Sequence, residues 1–203
     1  MPNIQLFDAS GNRKYLTPAE RKRFEEAALK ADGVTGSFAL MLLHSGCRIS
    51  EALNVNVHHI DYDTGCVTFE TLKQRQKGVF RQVPLPDSYL TMLNHVFDLR
   101  RRQTKAKEKN LPLWSHLWQG KVRSWSRKTA YSHIVQIMKM AKIEGVGANP
   151  KGLRHGFAIA CIDKAIPLNM VQKWMGHSSI TTTAIYANAT GEEERKIAAR
   201  IWL

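Results

Sequence analysis

The distribution of apolar residues near the N-terminus predicts helices. Between residues 18 and 31 the apolar positions return at helical spacing, which places on one face Phe24, Ala27, Ala28 and Ala31. Thr17 precedes this segment as a candidate N-cap, and Glu20 completes a capping box. A second, more apolar helix is predicted over 34–45 and ends at Gly46, and a short helix follows Ile49.

The pattern then changes to alternating polar and apolar residues, which is typical of strands. Three short strands are predicted, over residues 57–60, 66–72 and 79–83. A turn at 63–65 separates the first two strands, and the polar run 73–78 separates the last two. Pro84 and Pro86 follow the third strand. We therefore expect a small antiparallel sheet that ends at these prolines.

Helical periodicity returns after the sheet and continues to the end of the chain. The predicted helices cover about residues 87–101, 126–142, 152–165, 168–175, 179–187 and 191–202. The expected fold is a mainly α domain with a small three-stranded antiparallel sheet, an α+β arrangement. We expect residues 1–15 to be a flexible N-terminal segment, residues 16–190 to form the domain, and residues 191–203 to form a C-terminal helix.

The charge of the chain points to a nucleic-acid partner. Its 203 residues include 30 Lys and Arg against 17 Asp and Glu, for a formal net charge of +13. Such a field favours phosphate contacts and counterion release. Composition alone fits a generically basic protein, such as a ribosomal one, equally well. A hydrophobic content of 43% argues against a disordered basic tail. The most basic run, 100–109, is either a solvated helix end or a DNA contact.

The remaining composition excludes several classes of protein. Cys47, Cys66 and Cys161 are isolated, so neither a disulfide framework nor a metal-ligand cluster is expected. No glycine-rich phosphate loop is present, and we expect no cofactor. The start of the chain lacks the basic and apolar regions of a signal peptide, and no apolar stretch is long enough to span a bilayer. These features predict a reduced, cytoplasmic protein.

Four residues could together break a phosphodiester bond. Arg48 lies in Ser45-Gly46-Cys47-Arg48-Ile49-Ser50-Glu51, and Arg154 lies in Gly152-Leu153-Arg154-His155-Gly156. His177 follows Met175-Gly176, and Tyr186 comes nine residues after it. Guanidinium groups stay charged and offer forked donors to phosphate oxygens, and a tyrosine hydroxyl can act as the nucleophile. Each residue alone is usually structural, whereas the ordered set of four indicates chemistry.

This set of motifs resembles the catalytic domain of the tyrosine recombinases, the phage integrase family, from about Leu16 onward. The resemblance implies the architecture described above and a site-specific DNA recombinase that needs no metal. Tyr186 would attack the scissile phosphate, form a 3′-phosphotyrosyl link and free a 5′ hydroxyl. Arg48 and Arg154 would hold the phosphate, and His177 would donate a hydrogen bond to it or assist proton movement. Glu51 is expected to support Arg48.

Two positions depart from the family pattern. The second active-site histidine of the family precedes the arginine by three residues, where this chain has Lys151. A lysine keeps a donor and a positive charge, but it accepts a proton only if its pKa falls well below about 10.4. The base for Tyr186 is therefore left open, and His155 is expected to support the fold. The loop before Val83 also looks longer than the family's commonest form.

The proton for the leaving 5′ hydroxyl comes, in the family, from a lysine in the β-hairpin loop. Lys73 and Lys77 both lie in the corresponding polar run. Lys73 ends the predicted strand, so its direction would be better defined, whereas Lys77 lies at the predicted turn beside Gly78. We predict Lys73 as the general acid, with Lys77 as the alternative.

The resemblance also implies partners. These are double-stranded DNA, a homotetramer on that DNA, and an accessory DNA-bending or core-binding partner, with no membrane. In the family, the terminal helix docks on a neighbouring protomer. Residues 191–203 are expected either to do the same or to pack on their own domain. Only about fifteen residues precede the first helix, too few for the DNA-binding domain that family members usually carry, so the chain is expected to be a minimal recombinase or a fragment. The alternatives are a type IB-like topoisomerase and a non-catalytic DNA-binding regulator on this scaffold.

Overall fold

Helices make up most of the computed structural model, which describes residues 6–71, 78–188, 198–199 and 201. The helices are α1 Pro18–Lys30, α2 Gly33–Ser45, α3 Ile49–Leu53, α4 Asp87–Phe97, α5 Leu99–Gln103, α6 Arg127–Met140, α7 Pro150–Asp163, α8 Leu168–Met175 and α9 Ile180–Ala184. The strands are β1 Ile60–Asp61, β2 Cys66–Glu70, β3 Phe80–Pro84, β4 Ser115–Trp118 and β5 Lys121–Ser124. The mainly α class with a small three-stranded antiparallel sheet is confirmed.

The ends of the first two helices follow the sequence signals. The Thr17 hydroxyl accepts the backbone N–H of Glu20 (3.3 Å), and the Glu20 carboxylate accepts that of Thr17 (2.9 Å), so the predicted capping box is present. Helix α2 ends at Gly46, whose φ of 60° lies in the left-handed region. A Cβ at Gly46 would lie 2.4 Å from the Phe157 ring. Glycine is therefore required there both for backbone conformation and for space.

Helix α2 forms the centre of the hydrophobic core, with α1, α4, α6 and α7 packed around it. Trp114 is fully buried, packs edge-on against Phe38 at 5.1 Å between ring centroids, and donates to the Ser37 hydroxyl (3.1 Å). The Tyr89 hydroxyl donates to the Ser37 carbonyl oxygen (2.6 Å). These contacts hold α2 rigidly, and so they also hold the turn that follows it at Gly46.

A second, smaller cluster lies beside the helical core, along α7 and α8. Its buried members are Leu6, Tyr15, Phe157, Ala158, Ile159, Cys161, Val171, Met175 and Tyr186. Residues 6–15, expected to be a flexible segment, fold back instead as a turn with an antiparallel bridge between Phe7 and Arg13. Burial of Leu6 and Tyr15 explains why this segment packs onto the domain.

The three-stranded sheet has the predicted antiparallel order β1-β2-β3, but its first strand is shorter than expected. The strand prediction for 57–60 is wrong over Val57–His59, which form a 3₁₀ turn, and only Ile60 enters β1. The Nδ1 atom of His59 accepts the backbone N–H of Asn56 (3.0 Å), and the N–H of Val57 donates to the Leu111 carbonyl oxygen (3.1 Å). One local contact and one contact with a distant part of the chain thus replace strand pairing.

The helix predicted over 87–101 is wrong as a single element, because it breaks at Asp98. Asp98 has a φ of 51°, and the chain then turns into α5. The Asn94 side chain accepts the backbone N–H of Arg100 (3.0 Å), and Leu99 is fully buried. In the basic run that follows, Arg101 pairs with Asp98 and with Glu108 (3.8 Å), so part of its charge is compensated locally.

A β-hairpin absent from the sequence prediction joins β4 to β5. Its turn consists of Gln119 and Gly120, whose φ values of 48° and 72° are both positive. Two positive φ values are the geometry of a type I′ hairpin turn. The Gln-Gly pair is a weaker signal for a hairpin turn than Asn-Gly. The sequence prediction therefore contained only the three-stranded sheet and missed this hairpin.

The C-terminal helices lie near their predicted positions. The helix expected over 179–187 is α9 followed by a 3₁₀ turn at Ile185–Asn188, so Tyr186 lies in the tighter turn. The predicted helix 191–202 and the run 73–77 lie largely or wholly outside the described residues. Cys47 and Cys161 are buried, whereas Cys66 is partly exposed. Among the described residues no helix is long and apolar enough to cross a membrane.

Candidate active site

The turn after α2 places Arg48 at the N-terminus of α3. Its backbone N–H donates to Oε2 of Glu51 (2.8 Å), and its Nη1 donates to Oε1 of the same carboxylate (2.7 Å). The Glu51 side chain is fully buried, whereas the Arg48 side chain keeps 27% of its exposure. Glu51 therefore orients Arg48, as expected, and leaves part of the guanidinium accessible to a ligand.

Arg81 is a member of this cluster that sequence reasoning missed. It points inward from β3, where its Nη2 donates to Oε2 of Glu51 (2.7 Å) and its Nε donates to the Trp174 carbonyl oxygen (2.9 Å). Its Nη1 donates to the Thr71 hydroxyl (3.2 Å). The available signal was a charged residue at an inward position of an alternating strand, since β3 buries Arg81 and Val83 together. Arg81 thus ties the sheet to α3 and α8.

Glu51 is the carboxylate at the centre of the guanidinium groups. Burial alone would raise its pKa, but the charges of Arg81 and Arg48 outweigh burial and hold the pKa of Glu51 below its usual value. Glu51 is therefore ionised at neutral pH. Arg48 and Arg81 pair with this carboxylate, and the charge of Glu51 also acts on Arg154. Three guanidinium groups against one carboxylate leave an excess of positive charge suited to a phosphate.

Arg154 projects from the first turns of α7 into the same region and is 8% exposed. Its Nη1 donates to the Gly46 carbonyl oxygen (2.6 Å), and its Nη2 donates to the carbonyl oxygen of Met175. Burial, together with the charge of Arg48, lowers the pKa of Arg154 to about 10, so the side chain stays charged at neutral pH. Arg154 thereby joins the ends of α2 and α8 while placing a cation between them.

His177 follows the left-handed C-cap of α8 at Gly176, whose φ is 61°. Its Nδ1 lies 2.9 Å from the hydroxyl of the buried Thr183 in α9. That contact sets the orientation of the imidazole. A Cβ at Gly176 would lie 3.1 Å from the Arg81 guanidinium, so the glycine allows His177 and Arg81 to lie close together. Both residues line an open depression between β3 and α8.

Tyr186 is buried in the 3₁₀ turn after α9, with 1% of its surface exposed. Its ring lies 6.3 Å from that of His177 between centroids, with the ring planes at 13°. Burial raises the pKa of the Tyr186 phenol to about 12, although the charges of Arg154 and Arg48 act in the opposite direction. At pH 7 only about one molecule in 10⁵ would then carry a phenolate.

His155, which is expected to support the fold, also contacts Tyr186 directly. Its Nδ1 lies 2.9 Å from the Tyr186 hydroxyl, and the tautomer of the imidazole decides which atom donates. Burial, with the charges of Arg154 and Lys151 acting in the same direction, lowers the pKa of His155 to about 4. The imidazole is therefore neutral at pH 7. The contact joins residues 31 positions apart, so no local sequence pattern predicts it.

Lys151 stands apart from this contact. Lys151 is exposed in the first turn of α7, where its backbone N–H donates to the Asn149 side chain (2.9 Å). Lys73 and Lys77 lie outside the described residues. The described chain before them ends at Thr71, whose N–H donates to the Val79 carbonyl oxygen (2.8 Å) and whose hydroxyl accepts from Arg81. Thr71 therefore lies beside the guanidinium cluster.

The chain is similar to known proteins in sequence and in fold. Residues 14–193 match the sequence model of the Phage integrase family. Over 189 residues the chain is 28% identical to the tyrosine recombinase XerA of Pyrococcus furiosus, and the match covers 92% of the chain and 61% of that protein. The chain therefore spans less than two thirds of the length of this relative.

Solved structures show the same fold. The catalytic domain of bacteriophage HP1 integrase superposes with a TM-score of 0.60 at 21% identity, covering 91% of this chain and 93% of that one. A crystal structure of the XerH site-specific recombinase bound to its difH substrate superposes with a TM-score of 0.70 at 19% identity, covering 97% of this chain and 60% of that one. At these identities the likeness concerns the fold.

Proposed function

The chain belongs to the phage integrase family, and from that premise we propose that it catalyses site-specific DNA recombination through a 3′-phosphotyrosyl intermediate. One observation carries the proposal. The fold gathers Arg48, Arg154 and His177 around Tyr186, whose hydroxyl contacts a neutral histidine. Integration, excision, inversion and resolution all use this chemistry.

The positive cluster would bind the scissile phosphate. Arg48 keeps an exposed part of its guanidinium while Glu51 fixes its direction. The pentavalent transition state places more negative charge on the non-bridging oxygens, and preorganised cations stabilise it more than the ground state. Arg48, Arg154 and His177 would supply this charge and these donors without a metal ion. Arg81 would act by holding Glu51 in place.

His155 is the proton acceptor that the described geometry supports for Tyr186. Its neutral imidazole is within hydrogen-bond distance of the phenol, whereas Lys151 is exposed in the first turn of α7. With the ring proton on Nε2, the Tyr186 hydroxyl donates to Nδ1 of His155. As the Tyr186 oxygen bonds to phosphorus, its proton passes to Nδ1 and the bond to the 5′ oxygen breaks.

We predict that His155→Gln slows single-turnover cleavage by about 10²-fold at pH 7, because an amide can accept the hydrogen bond but not the proton. The wild-type rate should be flat on the acid side until the pH approaches about 4, the pKa of His155. The rate of the variant should rise with pH instead, since the phenol must then lose its proton to solvent. If His155 had a purely structural role, the substitution would lower the cleavage rate by the same factor at every pH and leave the shape of the pH profile unchanged.

Lys151→Gln is the matched control for that experiment. It removes the residue at the family's usual histidine position without touching the His155–Tyr186 contact. If Lys151→Gln shows the pH-dependent loss and His155→Gln does not, Lys151 is the acceptor and our assignment of His155 is wrong.

Lys73 is proposed as the donor of the proton to the leaving 5′ oxygen. A substrate with a 5′-phosphorothiolate at the scissile bond releases a thiol, which needs no general acid. Lys73→Ala should therefore cleave normal DNA slowly and cleave this substrate at nearly the wild-type rate. Lys77→Ala serves as the control in the same loop. Rescue of Lys77→Ala rather than Lys73→Ala would assign the role to Lys77.

Strand exchange needs more than one active site, and we propose that four protomers assemble on two DNA duplexes. The activity can be tested directly. A duplex selected from a random library would be placed twice on one plasmid, and recombination between the copies would be scored. Relaxation of a plasmid without such sites, in the absence of recombination, would favour a type IB-like topoisomerase. DNA binding without either activity would favour a regulator.

A further inference from the structure

The hairpin formed by β4 and β5 exposes side chains that folded proteins usually cover. Leu117 is 72% exposed, Trp118 is 54% exposed and Val122 is 41% exposed. Trp118 is the one exposed tryptophan among the described residues. Exposed apolar and aromatic side chains on both faces of one short hairpin mark a binding surface.

The charge of this region selects the partner. No residue from 109 to 143 is acidic, whereas the same segment contains Lys109, Lys121, Arg123, Arg127, Lys128, Lys139 and Lys142. All seven cations are exposed. A basic surface with an exposed aromatic residue is complementary to a polyanion that offers stacked bases and sugars. A second copy of this chain carries the same net charge of +13, so a phosphate polyanion is the better electrostatic match for this surface.

The register of the hairpin places its cations and its aromatic residue on one face. His116 pairs with Arg123, and Trp118 pairs with Lys121. These two pairs share a face because side chains alternate along a strand, and the pair Leu117–Val122 lies on the other face. Strands of four residues extend about 13 Å. A two-stranded ribbon of this size fits the major groove, which is about 12 Å wide.

The base of the hairpin is anchored next to the candidate active site. The Ser124 hydroxyl donates to the carbonyl oxygen of Leu53, the last residue of α3 (3.0 Å). The backbone N–H of Trp125 donates to the carbonyl oxygen of the buried Trp114 (2.9 Å). Helix α3 carries Arg48 at its other end and is only about 7 Å long. The hairpin therefore starts within the width of one duplex from the proposed phosphate site.

We propose that the hairpin Ser115–Ser124 is a second DNA-binding element, which contacts the duplex on one side of the scissile phosphate. Lys121 and Arg123 contact backbone phosphates, and Trp118 packs against the wall of the groove. Leu117 and Val122, on the opposite face, lie against sugars and thymine methyl groups. This inference rests on the proposed function, because it takes duplex DNA to be the substrate of the site at Arg48.

Salt-dependent binding of a 30-base-pair duplex tests the proposal. In the double variant Lys121→Gln/Arg123→Gln, the negative slope of log K against log salt should become shallower by about 2, because each phosphate contact contributes about 0.9 to its magnitude. That change corresponds to an affinity about 30-fold weaker at 0.15 M salt. Trp118→Ala should weaken binding without changing the slope. The control Lys22→Gln/Lys164→Gln removes the same charge from a cleft between α1 and α7.

Each outcome of this experiment has one meaning. A loss larger in the hairpin variant than in the control, with unchanged melting temperatures, supports the proposal. Equal slopes and affinities in the two double variants overturn it. The hairpin variants could instead bind a single DNA site with wild-type affinity and lose the higher-order complexes seen in sedimentation. That result also overturns the proposal and would show that the hairpin is a protein interface. Failure of the wild-type protein to form a covalent adduct on any duplex contradicts the proposed function instead, because the hairpin result depends on binding alone.

Discussion

Tyr186→Phe should eliminate the covalent protein–DNA adduct while leaving DNA affinity nearly unchanged. The substitution removes only the hydroxyl, so the charge and shape of the site are kept and the nucleophile is lost. It also leaves Nδ1 of the buried His155 without its partner, which should cost about 1–3 kcal/mol of folding stability. The adduct would be trapped on a nicked suicide duplex and resolved on a denaturing gel, with thermal melting measured in parallel.

Tyr131→Phe is the matched control, because Tyr131 is 47% exposed on α6. It should form the adduct at the wild-type rate. Recovery of an adduct from the Tyr186→Phe variant would show that another residue is the nucleophile. Loss of the adduct in both variants would point to a general effect of the substitutions and not to chemistry at Tyr186.

The second large effect is expected at the arginines. Arg48→Ala should slow single-turnover cleavage by at least 10²–10³-fold, because removal of a preorganised charged donor from a developing oxyanion costs roughly 3 kcal/mol or more. Arg154→Ala should slow cleavage at least as much, and it also removes the contacts that join Gly46 to Met175. Its stability should fall as well, since the carbonyl oxygens of these residues lose a charged donor.

Lysine variants separate the catalytic effect from the structural one. Arg48→Lys keeps the charge at a site that is partly exposed, so it should fold normally and still cleave poorly, because an ammonium lacks the fork of the guanidinium. Rates are compared at a temperature well below the melting transition of each variant. A near-wild-type rate for both alanine variants would rule out this cluster as the phosphate site.

Local sequence signals predicted most of the elements that carry the site. The capping box at Thr17 and Glu20, the glycine that ends α2, and the helical periodicity of α6, α7 and α8 all depend on neighbours within a few residues. Such signals survive in the folded chain because the tertiary structure agrees with them. Errors occurred where local contacts departed from the simple pattern, as at Val57–His59 and at Asp98.

The candidate site was predictable only in part. Arg48, Arg154, His177 and Tyr186 could be selected because their motifs have a recognisable order and spacing. Arg81 and His155 could not, because the partner of each lies about 30 positions away in the sequence. Their importance comes from the partners they reach, Glu51 for Arg81 and Tyr186 for His155.

By itself, then, the sequence determined the class of fold, the cationic character of the chain and the set of candidate groups, all of which follow from residue type and short spacing. The tertiary structure decided which of these groups touch. It buries Tyr186 against a neutral His155, places Arg81 on Glu51, and exposes the hairpin at Trp118. These contacts join residues about 30 positions apart or more, or depend on which surface the core leaves uncovered. Periodicity carries no information about either, because it reports only the neighbours within one or two turns of a helix or along one strand.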